Sequence, residues 1–230
     1  MWDRAPIAVV VLTVVLGLLG GGDASMASEE AGAAVQLPEP RQEGAISVEQ
    51  ALARRRSVRD FRATPLPLAS VGQLLWAAQG ITNPRGDRTA PSAGALHPLE
   101  VYLVAGAVTG LEPGVYRYEP GRHQLLRVAV GDVRRDLARA ALEQDWVADA
   151  PGILVLAGVY ERSARKYGQR APRYVHMEVG HAAQNVYLQA VALDLGTVVV
   201  GAFRDRQLAR VLALPAEVQP LGVMPVGKPE

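Results

Sequence analysis

Apolar residues are distributed along the chain in three patterns, and each predicts a different element. Unbroken apolar runs mark buried strands: Gly152-Ile153-Leu154-Val155-Leu156-Ala157-Gly158-Val159 offers no polar position to solvent, and Glu100-Val101-Tyr102-Leu103-Val104 is nearly as apolar. Two stretches rich in β-formers, 114–118 and 123–128, flank Glu119-Pro120-Gly121 and predict a hairpin, so the sheet is at least partly antiparallel. Helical spacing dominates over 174–195, where Val175, Val179, Ala182, Val186, Ala190 and Leu193 fall on one face. This is the longest helix, with Gly196 as its expected stop and Gly180 a weak point unless a neighbouring backbone packs there.

Shorter elements are predicted from their ends. Ser47-Val48-Glu49-Gln50 has the form of a capping box and opens a helix to about residue 56; Ser70-Val71-Gly72-Gln73 repeats it before Leu74-Leu75-Trp76-Ala77-Ala78, with Gly80 as the terminal cap. Further helices are expected at 133–141 and 205–214. Thr197-Val198-Val199-Val200 runs into Gly201, and a Pro-punctuated strand closes the chain at 218–226.

The apolar run at 5–19 has another character. It follows Arg4 and precedes Gly20-Gly21-Gly22 and the small-x-small triplet Ser25-Met26-Ala27, which is the form of a secretory signal. Residues 1–27 therefore read as a signal peptide, or as a membrane anchor if left uncleaved, and the protein as exported to the periplasm or beyond. Residues 28–45, rich in Pro, Glu, Gln and Ala, read as a linker, and 46–230 as the folded domain.

Composition narrows the chemistry. With 230 residues, 49% hydrophobic and 20% charged, the chain suits a single globular core. A net charge of +1 supplies no global field for polyanions, and nucleic acid is not expected as a partner. The absence of Cys excludes disulfides, thiolate metal sites and a Cys nucleophile. His176 and His181 stand five apart rather than four and have no third ligand, so no metal site is expected. No Gly-x-Gly-x-x-Gly fingerprint marks a dinucleotide-binding Rossmann unit, and Ser92 lacks the Gly-x-Ser-x-Gly setting of a hydrolase nucleophile.

The densest chemical signal is Arg54-Arg55-Arg56-Ser57-Val58-Arg59-Asp60-Phe61-Arg62, with five Arg and one hydroxyl at a helix end. Guanidinium forks bind phosphate bidentately and Ser adds a neutral donor, although a solvated basic face would read the same in isolation. The small residues of Ala90-Pro91-Ser92-Ala93-Gly94-Ala95 let a flat ring or a phosphate approach backbone amides, and as an isolated string they mark only a turn. Val199-Val200-Gly201-Ala202-Phe203 ends a strand in small residues, and Met224-Pro225-Val226-Gly227-Lys228 ends another in a cation.

Together and in this order, these segments resemble the FMN-dependent nitroreductase superfamily. The resemblance implies an α+β nitroreductase-like fold: a central, mostly antiparallel sheet flanked by helices, in a homodimer with FMN at the subunit interface. It implies that Arg55, Arg56, Ser57 and Arg59 grip the flavin phosphate and ribityl chain. Ser92, Ala93 and Gly94 would contact the flavin from the other subunit, Gly201 and Ala202 would offer main-chain donors to its ring, and Lys228 would pair with its phosphate.

The stretch Ala164-Arg165-Lys166-Tyr167-Gly168-Gln169-Arg170-Ala171-Pro172-Arg173-Tyr174, followed by Glu178, His181 and Asn185, resembles the SagB-type azoline dehydrogenases of that superfamily. These use FMN to aromatise thiazoline or oxazoline rings in peptides, which implies a small heterocyclic or peptide-borne substrate with Lys166 as base and Tyr167 as its proton-handling or positioning partner. Lys166 and Lys228 are also the only Lys among 24 basic side chains. Pro172 departs from the pattern, which has an aromatic residue there, and is expected to bend the segment. Two other functions fit the same motifs: a nitro- or quinone reductase fed by a nicotinamide donor, and a non-catalytic flavin-binding module.

Overall fold

The computed structural model describes residues 34–230, so the signal segment at 1–27 lies outside the described residues. The two apolar runs become β3 (Leu99–Ala105) and β7 (Gly152–Gly158), paired along their whole length at the middle of a seven-stranded sheet. The sheet order is β1 (Ala34–Gln36), β6 (Gln124–Val130), β5 (Gly114–Glu119), β3, β7, β9 (Gln219–Gly227) and β8 (Gly196–Thr197), and every pairing between these strands is antiparallel. A separate two-residue pair, β2 (Leu66–Pro67) with β4 (Val108–Thr109), is parallel.

Both faces of the sheet are covered, which is why the central strands carry no polar alternation. On one face Val101, Leu103, Leu154 and Leu156 pack with Leu74 of α2 (Leu68–Gln79) and with Val175 and Val186 of α6 (Ala171–Ala192). On the other, Tyr102, Val104, Ile153 and Val155 pack with Leu137 of α3 (Arg134–Ala140) and Leu208 of α7 (Asp205–Val211). Full burial of each aliphatic side chain stabilises the fold by about 1.5–3 kcal/mol. Three more helices lie at the periphery: α1 (Val48–Arg54), α4 (Trp146–Asp149) and α5 (Tyr160–Tyr167).

The capping box at Ser47 forms in both directions, with Ser47 Oγ accepting from the Gln50 amide at 3.2 Å and Gln50 reaching back to the Ser47 amide at 3.2 Å. Ser70 does not repeat it. The preset φ of Pro67, at −62°, starts α2 three residues earlier. Gln73, freed from any cap, is buried and bonds the backbone of Arg41 in both directions as well as Gln189.

That pairing also corrects the linker reading of 28–45. Ala34–Gln36 is an edge strand on β6, Leu37 is a core residue, and Arg41 is tied down, so the described fold begins at least at residue 34. A three-residue strand with one half-buried side chain carries too little periodicity to stand out from a Pro-rich stretch.

Nor does Gly196 cap α6. The helix ends at Ala192, the chain reverses through Asp194 in the left-handed region (φ 56°), and the Leu195 amide donates to Ala190 O at 2.8 Å. Gly196 instead enters the sheet, where an added Cβ would lie 2.7 Å from Val58 Cβ. Gly180 faces open space and has no packing partner, so α6 depends there on its buried flanks Val179 and Ala182.

Candidate functional site

The Arg/Ser segment leaves α1 at Arg55 in an extended conformation and is drawn onto the sheet beside β8. Ser57 bridges Thr197 in parallel, and the Val58 amide donates to Thr197 O at 3.0 Å. This close approach depends on Gly196. The chain end lies along the same segment: Phe61 bridges Pro229, and the Arg62 amide donates to Lys228 O at 2.9 Å. Residues distant in sequence thus gather at one sheet end.

Tyr187, on α6, joins them. Its hydroxyl accepts from the Val199 amide at 2.8 Å and lies 3.3 Å from Ser57 Oγ, while the Arg55 guanidinium sits 5.2 Å from its ring centroid. Sequence reasoning missed Tyr187, whose only signal was a polar-tipped aromatic on a helix otherwise faced with small aliphatics. Lys228 Nζ is 3.2 Å from Asp194 Oδ2.

Two residues of the Arg run are directed elsewhere. Arg56 folds back to donate to the carbonyls of Ala53 and Arg55 at 3.0 and 2.8 Å, closing the end of α1. The Arg59 guanidinium lies 5.7 Å from the ring centroid of Trp146. Gly201 and Ala202 are exposed just beyond the point where Val200 and Val223 exchange backbone bonds, and Ala202 O accepts from Gln144.

A second group forms around the small-residue loop. Ser92 Oγ accepts from the His97 amide at 2.9 Å and closes a turn in which Gly94 has φ 65°. A Cβ on Gly94 would lie 2.7 Å from Tyr167 Oη and 2.9 Å from Lys166 Nζ. The Lys-Tyr pair at the end of α5 therefore rests on the bare face of this glycine. Tyr174 packs beside Tyr167, with centroids 4.6 Å apart and the rings tilted by 60°. Pro172 does not distort the pair: it occupies the first turn of α6, where a missing N–H costs nothing. His176 is engaged with the Tyr160 hydroxyl at 2.6 Å.

Behind the loop, Pro91, Ser92, Tyr174, Met177, Glu178 and His181 border a cavity of about 250 Å³. Glu178 is 2% exposed and accepts from Gln79 at 3.4 Å. Burial pushes its carboxyl above the ordinary 4.5, with the Ser92 hydroxyl, Gln79 and Arg88 pulling the other way. A carboxyl whose proton is held more tightly in the folded state loses folding stability as pH rises from 4.5 through its folded value, with no further loss above it. Glu178→Gln is expected to abolish this loss, so thermal melts between pH 4 and 8 should show the variant gaining on the parent as pH rises.

The two groups do not meet within one chain. Tyr174 and Tyr187 are thirteen residues apart on α6, which at 1.5 Å per residue separates them by about 20 Å. One end of the helix carries Tyr187 with Ser57 and Arg55, the other the Lys-Tyr pair.

Residues 52–228 match the model of the nitroreductase family. The chain belongs to the nitroreductase family. It is 48% identical over 194 residues to a Methanocaldococcus jannaschii protein assigned as a nitroreductase, covering 84% of this chain and 96% of that one. Among solved structures it superposes on a nitroreductase from Anabaena variabilis with TM-score 0.77 and 27% identity, over 86% of this chain but only 42% of that one. It also superposes on a chain of the E. coli microcin synthetase McbBCD complex with truncated pro-MccB17 bound, with TM-score 0.69 and 26% identity over 94% of this chain and 85% of that one. As a nitroreductase-family member it is an oxidoreductase of a family that typically uses flavin, and the α+β fold with its antiparallel sheet agrees.

The residues present fit a flavin nucleotide. Ser57, Arg55 and Lys228 are donors suited to a phosphate and a polyol. Thr197, beside Ser57, has a buried hydroxyl without a partner among the described residues. Gly201 keeps one approach free of side chains, whereas the face of Gly94 is taken by Lys166 and Tyr167.

Proposed function

We propose that this nitroreductase-family protein is an FMN-dependent dehydrogenase of the SagB type, oxidising an azoline or a similar heterocycle, carried on a peptide or as a small molecule. The observation that carries this reading is the convergence of Lys166 Nζ and Tyr167 Oη on Gly94. It puts a base and a hydroxyl against the loop that the resemblance assigns to the flavin. The McbBCD complex with its bound precursor supports a peptide-borne substrate.

A bound FMN would supply the hydride acceptor. Aromatising an azoline also removes a proton from carbon, and Lys166 is placed to take it while Tyr167, held against the tilted ring of Tyr174, fixes the geometry. Arg55, Ser57 and Lys228 hold the phosphate end; Arg59 reaches that end only by leaving Trp146, and Arg56 serves the helix. Because the two groups stand at opposite ends of α6, a second copy completes each site, with Ser92, Ala93, Gly94, Lys166 and Tyr167 from one chain facing Arg55, Ser57, Gly201, Ala202 and Lys228 of the other.

The deciding experiment incubates FMN-reconstituted protein with a peptide carrying a thiazoline or oxazoline under air. Loss of two hydrogens by mass is expected. No flavin uptake, or uptake with no such loss and rapid anaerobic bleaching by a nicotinamide donor, would replace this reading with a flavin-free protein or a nitro/quinone reductase respectively.

A further inference from the structure

Strands β3 and β5 pair from Ala105↔Gly114 to Tyr102↔Arg117 and then part, although β3 stays on β7 as far as Leu99↔Gly158. Between the separated ends lies a cavity of about 180 Å³, walled in part by Arg88, Arg117, Arg162, Glu100, Gln79 and Tyr118. Three guanidinium groups face a single carboxylate there. Both oxygens of Glu100 are taken, one by Arg162 and the other by the Tyr102 hydroxyl at 3.3 Å.

Arg88 and Arg117 are left over. Among the described residues neither comes within 4.0 Å of a carboxylate oxygen. Arg88 donates to Gln79 at 2.7 Å, but its Nε is buried without a partner. Burial disfavours its charge; Glu178 opposes this, Arg162 adds to it, and Glu100 opposes it more weakly, so the net direction is against the charge. A desolvated guanidinium without a counter-ion is costly, and its fork matches a carboxylate or a phosphate.

We propose that this cavity is a binding site for one oxyanion, a carboxylate or a phosphate group, held by Arg88 and Arg117. Its place relates it to the site above. Arg162 donates to His97 O at 3.2 Å, tying the cavity wall to the loop of Ser92 and Gly94, and Arg162 and Lys166 stand one turn apart on α5. A second cavity of about 290 Å³ shares Glu100, Arg117 and Arg162, giving room for the body of a larger ligand. Two sources supply such an anion beside a redox centre: an acidic group of the substrate, or a phosphate of a nicotinamide dinucleotide. Only the choice between these rests on the function proposed above; anion binding itself does not.

The test is calorimetric titration of inorganic phosphate into the full chain and into the Arg117→Gln and Arg55→Ala variants. Arg117 makes no side-chain hydrogen bond or ion pair among the described residues, so its loss spares the fold. A charge-assisted bond contributes about 1.5–3 kcal/mol, so Arg117→Gln should weaken a saturable phosphate event at least about ten-fold. Arg55→Ala, at the flavin end, should leave that event in place. An event lost with Arg55 but not with Arg117, or no saturable event, overturns the proposal. A preference for NADPH over NADH that vanishes in Arg117→Gln assigns the dinucleotide phosphate, and the same loss of preference for an acidic peptide over its amide assigns the substrate. Phosphate binding with neither preference supports a free-anion site.

Discussion

Lys166→Ala is expected to lower azoline turnover by about 10²–10⁴-fold, the range usually lost with a general base, while flavin stays bound. The residue is exposed at the end of α5 and lies against Gly94, with Nζ over the Tyr167 ring at 5.6 Å from its centroid. Removing it opens no cavity and leaves no buried partner unpaired, so melting temperature should shift little. The residues proposed to hold the flavin phosphate at the other end of α6 are untouched, and the visible spectrum of reconstituted protein should be retained. Steady-state rates against flavin occupancy separate the two effects. Turnover within three-fold of the parent would remove Lys166 from the chemistry and leave the flavin reading standing.

The second large effect is structural. Gly196→Ala would set a Cβ 2.7 Å from Val58 Cβ, with both Val58 methyl carbons within 2.8 Å. Val58 is β-branched and follows an extended backbone anchored to Thr197, so it has little freedom to turn aside. Overpacking of this kind costs about 1–3 kcal/mol. Relief comes by separating 55–58 from β8, which breaks the Val58–Thr197 bond and moves Ser57 away from Tyr187. A fall in melting temperature of about 2–8 °C is therefore expected together with flavin that dissociates on gel filtration. Loss of stability with undiminished flavin affinity would show that the segment is not held in place by this contact.

The sequence disclosed most where one physical pattern dominated. Continuous apolar runs identified β3 and β7, because a strand covered on both faces has no polar positions to lose. The reciprocal bonds at Ser47 matched their spacing, since a capping box is a local device. Ser70 had the same spacing but lost to Pro67 three residues upstream, and Gly196 lost its expected capping role to Asp194, whose polar side chain tolerates the left-handed region. Both misreadings turned on a competitor that was visible yet weaker by propensity.

The site was legible as parts and not as an arrangement. The Arg run, the Ser92 loop and the Lys-Tyr pair each appeared as strings, but which string touches which is a tertiary fact. Lys166 and Tyr167 meet Gly94 across more than seventy residues, and Tyr187 becomes a hub only because Ser57 of the Arg segment and the Val199 amide both meet its hydroxyl. Arg56 shows the converse. Within a basic run all arginines look alike, and only the fold assigns one of them to the carbonyls of its own helix.

The two lysines give the protein a chemical address. Only Lys166 and Lys228 among 24 basic side chains carry a primary amine, and both are exposed. Amine-directed reagents that would scatter over an ordinary surface can modify only these two side chains and the terminal amine. Lys228 shares its charge with Asp194, whereas Lys166 stands over a glycine. Acylation, reductive methylation or attachment to an activated resin thus reports on the proposed reaction centre almost residue by residue.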